Sequence, residues 1–374
     1  MVVPRRRIVV ALTVLILLLL AAVVRDPVAA EVPDPQPEAG WGVNGTVRAT
    51  AIAGDVVVVG GSFSAAVAPN GATTPRQNLA AFDRTTGALL PWRADANYTV
   101  RALTTDGTTV WVGGEFTRIG DVSVQRGARL DPVTGEVDRS FVLGADRVVY
   151  ALDVRGSQLF VGGSFIALRG ARHVRVAQVD AATGEPSSQF RGIANAPVLG
   201  VAASPTSDVL YLAGQFSRLN GVDRAGIGAV SATTGATTGP SFSRSVRPSL
   251  GVDVSDDGSR IFGAGGGQAN SISAWTTGDG ARRWAMTAMG DVQAVRYYDG
   301  DVYFGFHEGF RNDTSVRLLV ADAVSGALDN SFRPSFNQFW GVRAIDATAG
   351  GVVAGGQFTW VSGTRANYYV RFMP

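Results

Sequence analysis

Downstream of residue 40 the chain reads as short runs of Val, Ala, Leu and Phe, broken every few residues by Gly, Asp, Thr or Ser. That is the pattern of short strands joined by tight turns, and no stretch after the N-terminus has helical periodicity. One unit is legible from residues 100 to 141. Val100-Arg101-Ala102-Leu103 predicts a strand, Asp106-Gly107 a hairpin turn, and Val110 to Phe116 a second strand. Ala128-Arg129-Leu130 predicts a third strand, Asp131 to Gly135 a turn, and the following segment with Phe141 a fourth.

The unit recurs at about fifty residues, a period that puts repeat architectures first. Gly113-Gly114-Glu115-Phe116 is matched by Gly60 to Phe63, Gly162 to Phe165 and Gly355 to Phe358, and in altered form by Ala213-Gly214-Gln215-Phe216. Ala264 to Gly267 and Gly305-Phe306-His307-Glu308 are degenerate copies. The preceding strand is expected to start at Val47, Val100, Val149, Val198, Leu250, Val292 and Val342, which makes seven units.

The turn before the fourth strand recurs as Asp83 to Gly87, Asp131 to Gly135, Asp180 to Gly184, Ser231 to Gly235, Thr276 to Gly280 and Asp322 to Gly326. Its carboxylate can accept backbone N–H bonds while its Gly takes positive φ. The aromatic that follows is Trp92, Phe141, Phe190, Phe242, Trp284 or Phe332. Turn and aromatic are missing from the seventh unit, where the chain ends at Pro374, yet Trp41 precedes Val47 as Trp92 precedes Val100. The predicted fold is therefore all-β: a seven-bladed β-propeller with four antiparallel strands per blade, its last blade closed by an N-terminal strand over residues 41–46. A β-solenoid or stacked sandwiches are the competing architectures. The fifth-to-sixth interval of 42 residues, against 49 to 53 elsewhere, makes six or eight blades the main alternatives within the class.

The Val-x-Ala-Leu and Val-x-Val-Gly-Gly-x-Phe strands, with Asp138-Arg139-Ser140-Phe141 and Asp329-Asn330-Ser331-Phe332, resemble the delta-60 repeat β-propellers of bacterial surface and secreted proteins. The resemblance covers residues 41–374. It implies an extracellular binding or scaffolding module and offers no catalytic residues to carry over. A weaker resemblance, to the tryptophan-docking repeat of quinoprotein propellers, rests on Ala274 to Trp284 alone. Thr276 and Asp279 there exchange the usual Asp and Thr, and Trp284 is expected to pack between blades.

The N-terminus adds a separate element. Arg5-Arg6-Arg7, an apolar run from Ile8 to Val24 and Val28-Ala29-Ala30 predict a signal peptide cleaved after Ala30, with an uncleaved membrane anchor as the alternative. Domains are thus expected as 1–30 signal or anchor, 31–40 linker and 41–374 propeller, secreted or held outside the cytoplasmic membrane. Removing residues 1–30 takes away four Arg and one Asp, so the formal charge of +2 falls to about −1. No basic patch for nucleic acid is predicted. With no Cys there is no disulfide framework, so stability must come from the core of what is expected to be a monomer.

The sequence has no nucleophile elbow, no Walker lysine and only two His, His173 and His307, so no His-rich metal site and no cofactor are expected. First strands should line the tunnel, where the residue after the leading position is Arg48, Arg101, Tyr150, Leu199, Gly251, Gln293 or Arg343. Three Arg and no acid is the wrong set for a glycosidase. Guanidinium groups suit an anion, although packing and pairing between blades is the competing role. Candidate ligand-binding residues are Arg48, Arg101 and Arg343, Glu115 as the one acid at the x position, and His307 and Glu308 in the irregular sixth unit. Aromatics are dense near the end, at Phe336, Phe339, Trp340, Trp360, Tyr368 and Tyr369; an exposed cluster would suggest carbohydrate or partner binding, but Phe339, Trp340 and Trp360 sit on or beside predicted strands, so core packing is favoured. A non-catalytic binding or scaffold module for a protein or cell-surface glycan is favoured over a polysaccharide lyase or glycoside hydrolase with a polar site near the tunnel, and whether the chain is an enzyme at all is left open.

Overall fold

The computed structural model describes residues 32–374, and the expected export signal lies outside the described residues. Among the described residues there is no α-helix. The strands sort into seven antiparallel sheets of three or four strands that follow one another along the chain, with one small three-stranded sheet and four two-stranded hairpins beside them. The first strand of each large sheet is β1 (Thr46–Ala53), β2 (Val100–Thr105), β3 (Val149–Arg155), β4 (Val198–Ala203), β5 (Ser249–Val254), β6 (Val292–Tyr298) and β7 (Gly341–Thr348). Each packs along the next in chain order, and β7 packs along β1.

The apolar core lies in layers between neighbouring sheets. Val58, Leu79 and Ala81 meet Val100, Val112 and Leu130, and in the same way Val57 and Phe82 meet Val353 and Tyr369. The first Gly of the Gly-Gly pair exists for this packing. A Cβ on Gly60 would lie 2.4 Å from Val100 Cγ1, one on Gly113 2.6 Å from Val149 Cγ1, and one on Gly305 2.5 Å from Val342 Cγ1. At these three interfaces the leading valine of the next sheet fits only against a bare backbone, whereas Val292 packs in one cluster with Ala264 at the equivalent position. The repeated aromatic also bridges sheets: Trp92 Nε1 donates to Pro132 O at 3.0 Å and Trp284 Nε1 to Ala323 O at 3.1 Å.

The turns behave as the sequence requires. Asp83, Asp131, Asp180 and Asp322 each accept the backbone N–H three residues on, at 2.6–2.8 Å, and the Gly that follows has φ near +70°. Hydrogen bonds hold the four carboxylates below the usual range: the backbone N–H first at Asp83 and Asp131, the Thr183 hydroxyl first at Asp180, and the Ser325 hydroxyl and N–H overcoming burial at Asp322. The fourth strand is thinner than expected. Only two sheets, those of β4 and β5, have one; elsewhere it shrinks to single bridges such as Leu130–Val137 and Val179–Pro186. Pro186 has no N–H to continue its ladder.

The N-terminal pairing is displaced from its expected position. Residues 41–46 do not pair with the last sheet: Gly42–Val43 pairs with Ala65–Val67 instead. The bridge to the last sheet is made by Glu38, inside the stretch read as a linker, whose N–H donates to Arg371 O at 2.9 Å. Glu38 stands three residues before Trp41 as Leu89, bridged to Phe82, stands three before Trp92. The displacement follows from taking the aromatic itself as the strand, when the bridge precedes it.

Candidate functional site

Every first strand carries the same bulge. Its register slips between Val47 and Ala49, Val100 and Ala102, Val149 and Ala151, Val198 and Gly200, Ser249 and Gly251, Val292 and Ala294, and Val342 and Ala344. The skipped residues are Arg48, Arg101, Tyr150, Leu199, Leu250, Gln293 and Arg343, each left without a ladder partner by the bulge. One position corrects the sequence reading: the fifth strand leads with Ser249, so Leu250 and not Gly251 takes the bulge. Hydrophobicity misled there because Ser249, fully buried, satisfies its hydroxyl on Val246 O at 2.7 Å.

All seven bulge residues, with Asp291 and Trp340, line one open cavity of about 470 Å³ at one end of the first strands. Arg101 is neutralised there by Glu115, with Nε to Oε1 at 2.8 Å. Arg48 and Arg343 have no acid within ion-pair distance among the described residues, and their Nε atoms are buried without hydrogen-bond partners. Burial first, then the charges of Arg101 and Arg343, bring the Arg48 guanidinium down to about 10. Arg343 is lowered by burial and by Arg101, against the pull of Asp291. A like-charged, half-desolvated pair of this kind is costly and lacks anions.

His307 and Glu308 reach the same mouth from its wall. His307 Nε2 accepts the Asp291 N–H at 2.9 Å, which puts the ring proton on Nδ1, 3.8 Å from Glu308 Oε1. The ring packs against Phe339 and Trp340 at 5.4 and 5.5 Å, and Arg343 lies over Trp340 at 5.5 Å. The structure thus gathers Arg48, Arg101 and Arg343 on the cavity, with Glu115 paired to Arg101 outside its lining and His307 and Glu308 packed behind Trp340 and Asp291. The aromatics are corrected in part: Phe336 and Tyr369 are buried, but Phe339, Trp340 and Trp360 are 44–49% exposed. Phe339 and Trp340 belong to the loop before β7, which apolar content alone does not distinguish from a strand.

The loops around this end are held by a device the sequence reading missed. Asn44, Asn97, Asp146, Asn195 and Asn337 each accept two consecutive backbone N–H groups from the loop between second and third strands of their own unit, at 2.9–3.1 Å. In four units the residue lies three before the leading valine, a spacing that could have been found.

The opposite end has inverse chemistry. Three residues beyond the bulge position, β3, β5, β6 and β7 carry Asp153, Asp253, Arg296 and Asp346, lining a second cavity of about 390 Å³. The acids are staples between neighbouring strands: Asp153 accepts from Ala203 N at 2.7 Å, Asp253 from Tyr297 N at 2.8 Å and Asp346 from Ile52 N at 2.8 Å. Arg296 lies 3.1 Å from Asp346 and 3.8 Å from Asp253, and these carboxylates hold its proton more firmly. Burial pushes Asp153 up to about 6 and raises Asp253 as well. Among the described residues no cluster of acids and His is arranged to hold a metal ion.

No protein-family model and no curated protein matches this chain. Solved structures do. The WD40 beta propeller domain of Doa1 aligns with a TM-score of 0.64 at 12% identity, over 92% of this chain and 97% of that one. The fold is a β-propeller. A computationally designed protein, Ika8, also aligns with the propeller, with a TM-score of 0.58 at 14% identity over 91% of this chain and all of that one. At these identities the likeness concerns fold alone.

Proposed function

We propose that this protein is an exported, non-catalytic binding propeller of seven blades, its last blade completed by the N-terminal segment, which holds its ligand at the arginine-lined mouth of the tunnel. The observation that carries this reading is the pair Arg48 and Arg343, half-buried, without an acid at ion-pair distance and both repelled by Arg101. A propeller stabilised only for its own sake would place apolar or paired residues there. The resemblance to delta-60 repeat propellers and the apolar N-terminal run support placement outside the cytoplasmic membrane, on a protein or cell-surface glycan, with the chain acting as a monomer.

A lyase or glycoside hydrolase working at the same mouth is the second reading, favoured by the nearness of Glu115, His307 and Arg343. Two bonds weigh against it. Glu115 is tied to Arg101, and His307 Nε2 is occupied by the Asp291 N–H, so neither offers a free base to a substrate. Screening wild type and an Arg48→Gln/Arg343→Gln variant against glycan and peptide arrays, with product analysis on every glycan, separates the readings. Binding lost in the variant, with no product formed, supports the binding propeller. Turnover, or binding indifferent to both substitutions, overturns it.

A further inference from the structure

Resting on the tunnel mouth as the binding site, the lining of that cavity also specifies what fills it. Two guanidinium Nε–H donors, from Arg48 and Arg343, are buried without an acceptor. Gln293 Oε1 is buried in the same lining without a donor. Unpaired buried polar atoms carry a desolvation cost, and a ligand that draws these side chains onto it relieves that cost if it combines an anion with a hydroxyl. Arginine presents a planar fork matched to carboxylate. Apart from Arg101, which is paired with Glu115, and Asp291, the rest of the wall is apolar or aromatic: Leu199, Leu250, Tyr150 and Trp340. A flat C–H surface would pack on it, as the face of a sugar ring does on an indole. The volume of about 470 Å³ accommodates one or two monosaccharide units.

We infer that the mouth binds an acidic saccharide through its carboxylate, a uronic acid residue at the end of a glycan chain, with the carboxylate on Arg48 and Arg343, a ring hydroxyl on Gln293 and the sugar face against Trp340. The other end of the tunnel sets Asp153, Asp253 and Asp346 against the single cation Arg296, an acid-rich lining that disfavours the same anion, so the ligand enters from the arginine face. Asp291, the one acid in the lining, disfavours further anionic groups beside the first.

The test is a calorimetric titration of the purified full chain with tri-galacturonate, with the neutral galactose trimer, with inorganic phosphate and with an acetylated dipeptide bearing a free C-terminal carboxylate. The inference expects tri-galacturonate to bind at least tenfold more tightly than the other three. It expects that affinity to fall at least tenfold in both Arg48→Gln and Arg343→Gln, severalfold in Gln293→Leu, and severalfold between 50 and 500 mM salt. Melting temperature is followed for each variant, so that a folding defect is not read as lost binding. Phosphate or the dipeptide binding equally well overturns the saccharide while leaving the mouth as the site. Preference for the neutral trimer overturns the anion, and tri-galacturonate binding unchanged by every substitution overturns the mouth itself.

Discussion

Gly355 on the last sheet and Val47 at the start of β1 lie so close that a Cβ on the glycine would come within 2.2 Å of the valine Cγ1. The same relation joins Gly60 to Val100 and Gly113 to Val149, sheets adjacent in the chain. In the proposed seven-blade ring, Gly355 and Val47 are the seam, and the seam is built like any other interface between blades.

Gly355→Ala therefore overpacks the seam and is expected to cost about 1–3 kcal/mol. Urea unfolding measures it. Val47→Ala made alongside should recover part of the loss, because the two changes share one contact. Gly278→Ala, whose Cβ meets nothing within 4 Å, is the neutral comparison.

Arg371 ties three segments together from a position 2% exposed. Its guanidinium donates to Thr85 O at 2.8 Å and Ala39 O at 3.2 Å, joining the last sheet to the first turn and to the N-terminal segment bridged through Glu38. Arg371→Met should cost roughly 2–4 kcal/mol by loss of charge-assisted bonds. Deleting residues 31–40 should destabilise the chain as well, although those residues read as linker in the sequence. A melting temperature unchanged by both would remove the N-terminal segment from the fold.

Much of this was legible from spacing because packing imposes it. A valine inserted against the neighbouring sheet favours a glycine opposite, and a turn of fixed geometry favours Asp and Gly, so Val100, Gly113, Asp131 and Gly135 recur in most units. What escaped was set by single atoms. Ser249 replaces a valine by satisfying its hydroxyl internally, which hid the register of Leu250. The staples Asp153, Asp253 and Asp346 fall on the tunnel strands three residues beyond the position searched for acids. Trp340 is exposed because it stands on the cavity in the loop before β7, and hydropathy does not encode that.

Arg48 is expected to lower stability in the free protein. Burial and two neighbouring guanidiniums bring it down to about 10, so Arg48→Leu should raise the melting temperature, as residues retained for binding commonly do when replaced. Differential scanning calorimetry without added anion is the measurement. A fall in melting temperature would make Arg48 a structural residue.

The Asp153 staple sets a pH dependence of definite sign. Its folded value of about 6 lies above the ordinary 3.8, so the folded chain holds a proton that the unfolded chain has released across that interval. This group's contribution is fully present below about pH 4 and is lost as pH rises through 6. Asp153→Asn should flatten that part of the stability profile, measured by urea unfolding at half-unit steps. The turn carboxylates act oppositely: Asp83, Asp131, Asp180 and Asp322 lie below 3.8 and withdraw stability only under stronger acid.

The central claim is that the arginine-lined mouth is an anion site. Crystals of the full chain soaked in selenate, with data collected at the selenium edge, locate that anion directly. A leading anomalous peak within hydrogen-bond reach of Arg48 and Arg343, absent from crystals of the Arg48→Gln/Arg343→Gln variant, is the predicted result. Selenate found only at other arginines, with the mouth empty, would contradict it.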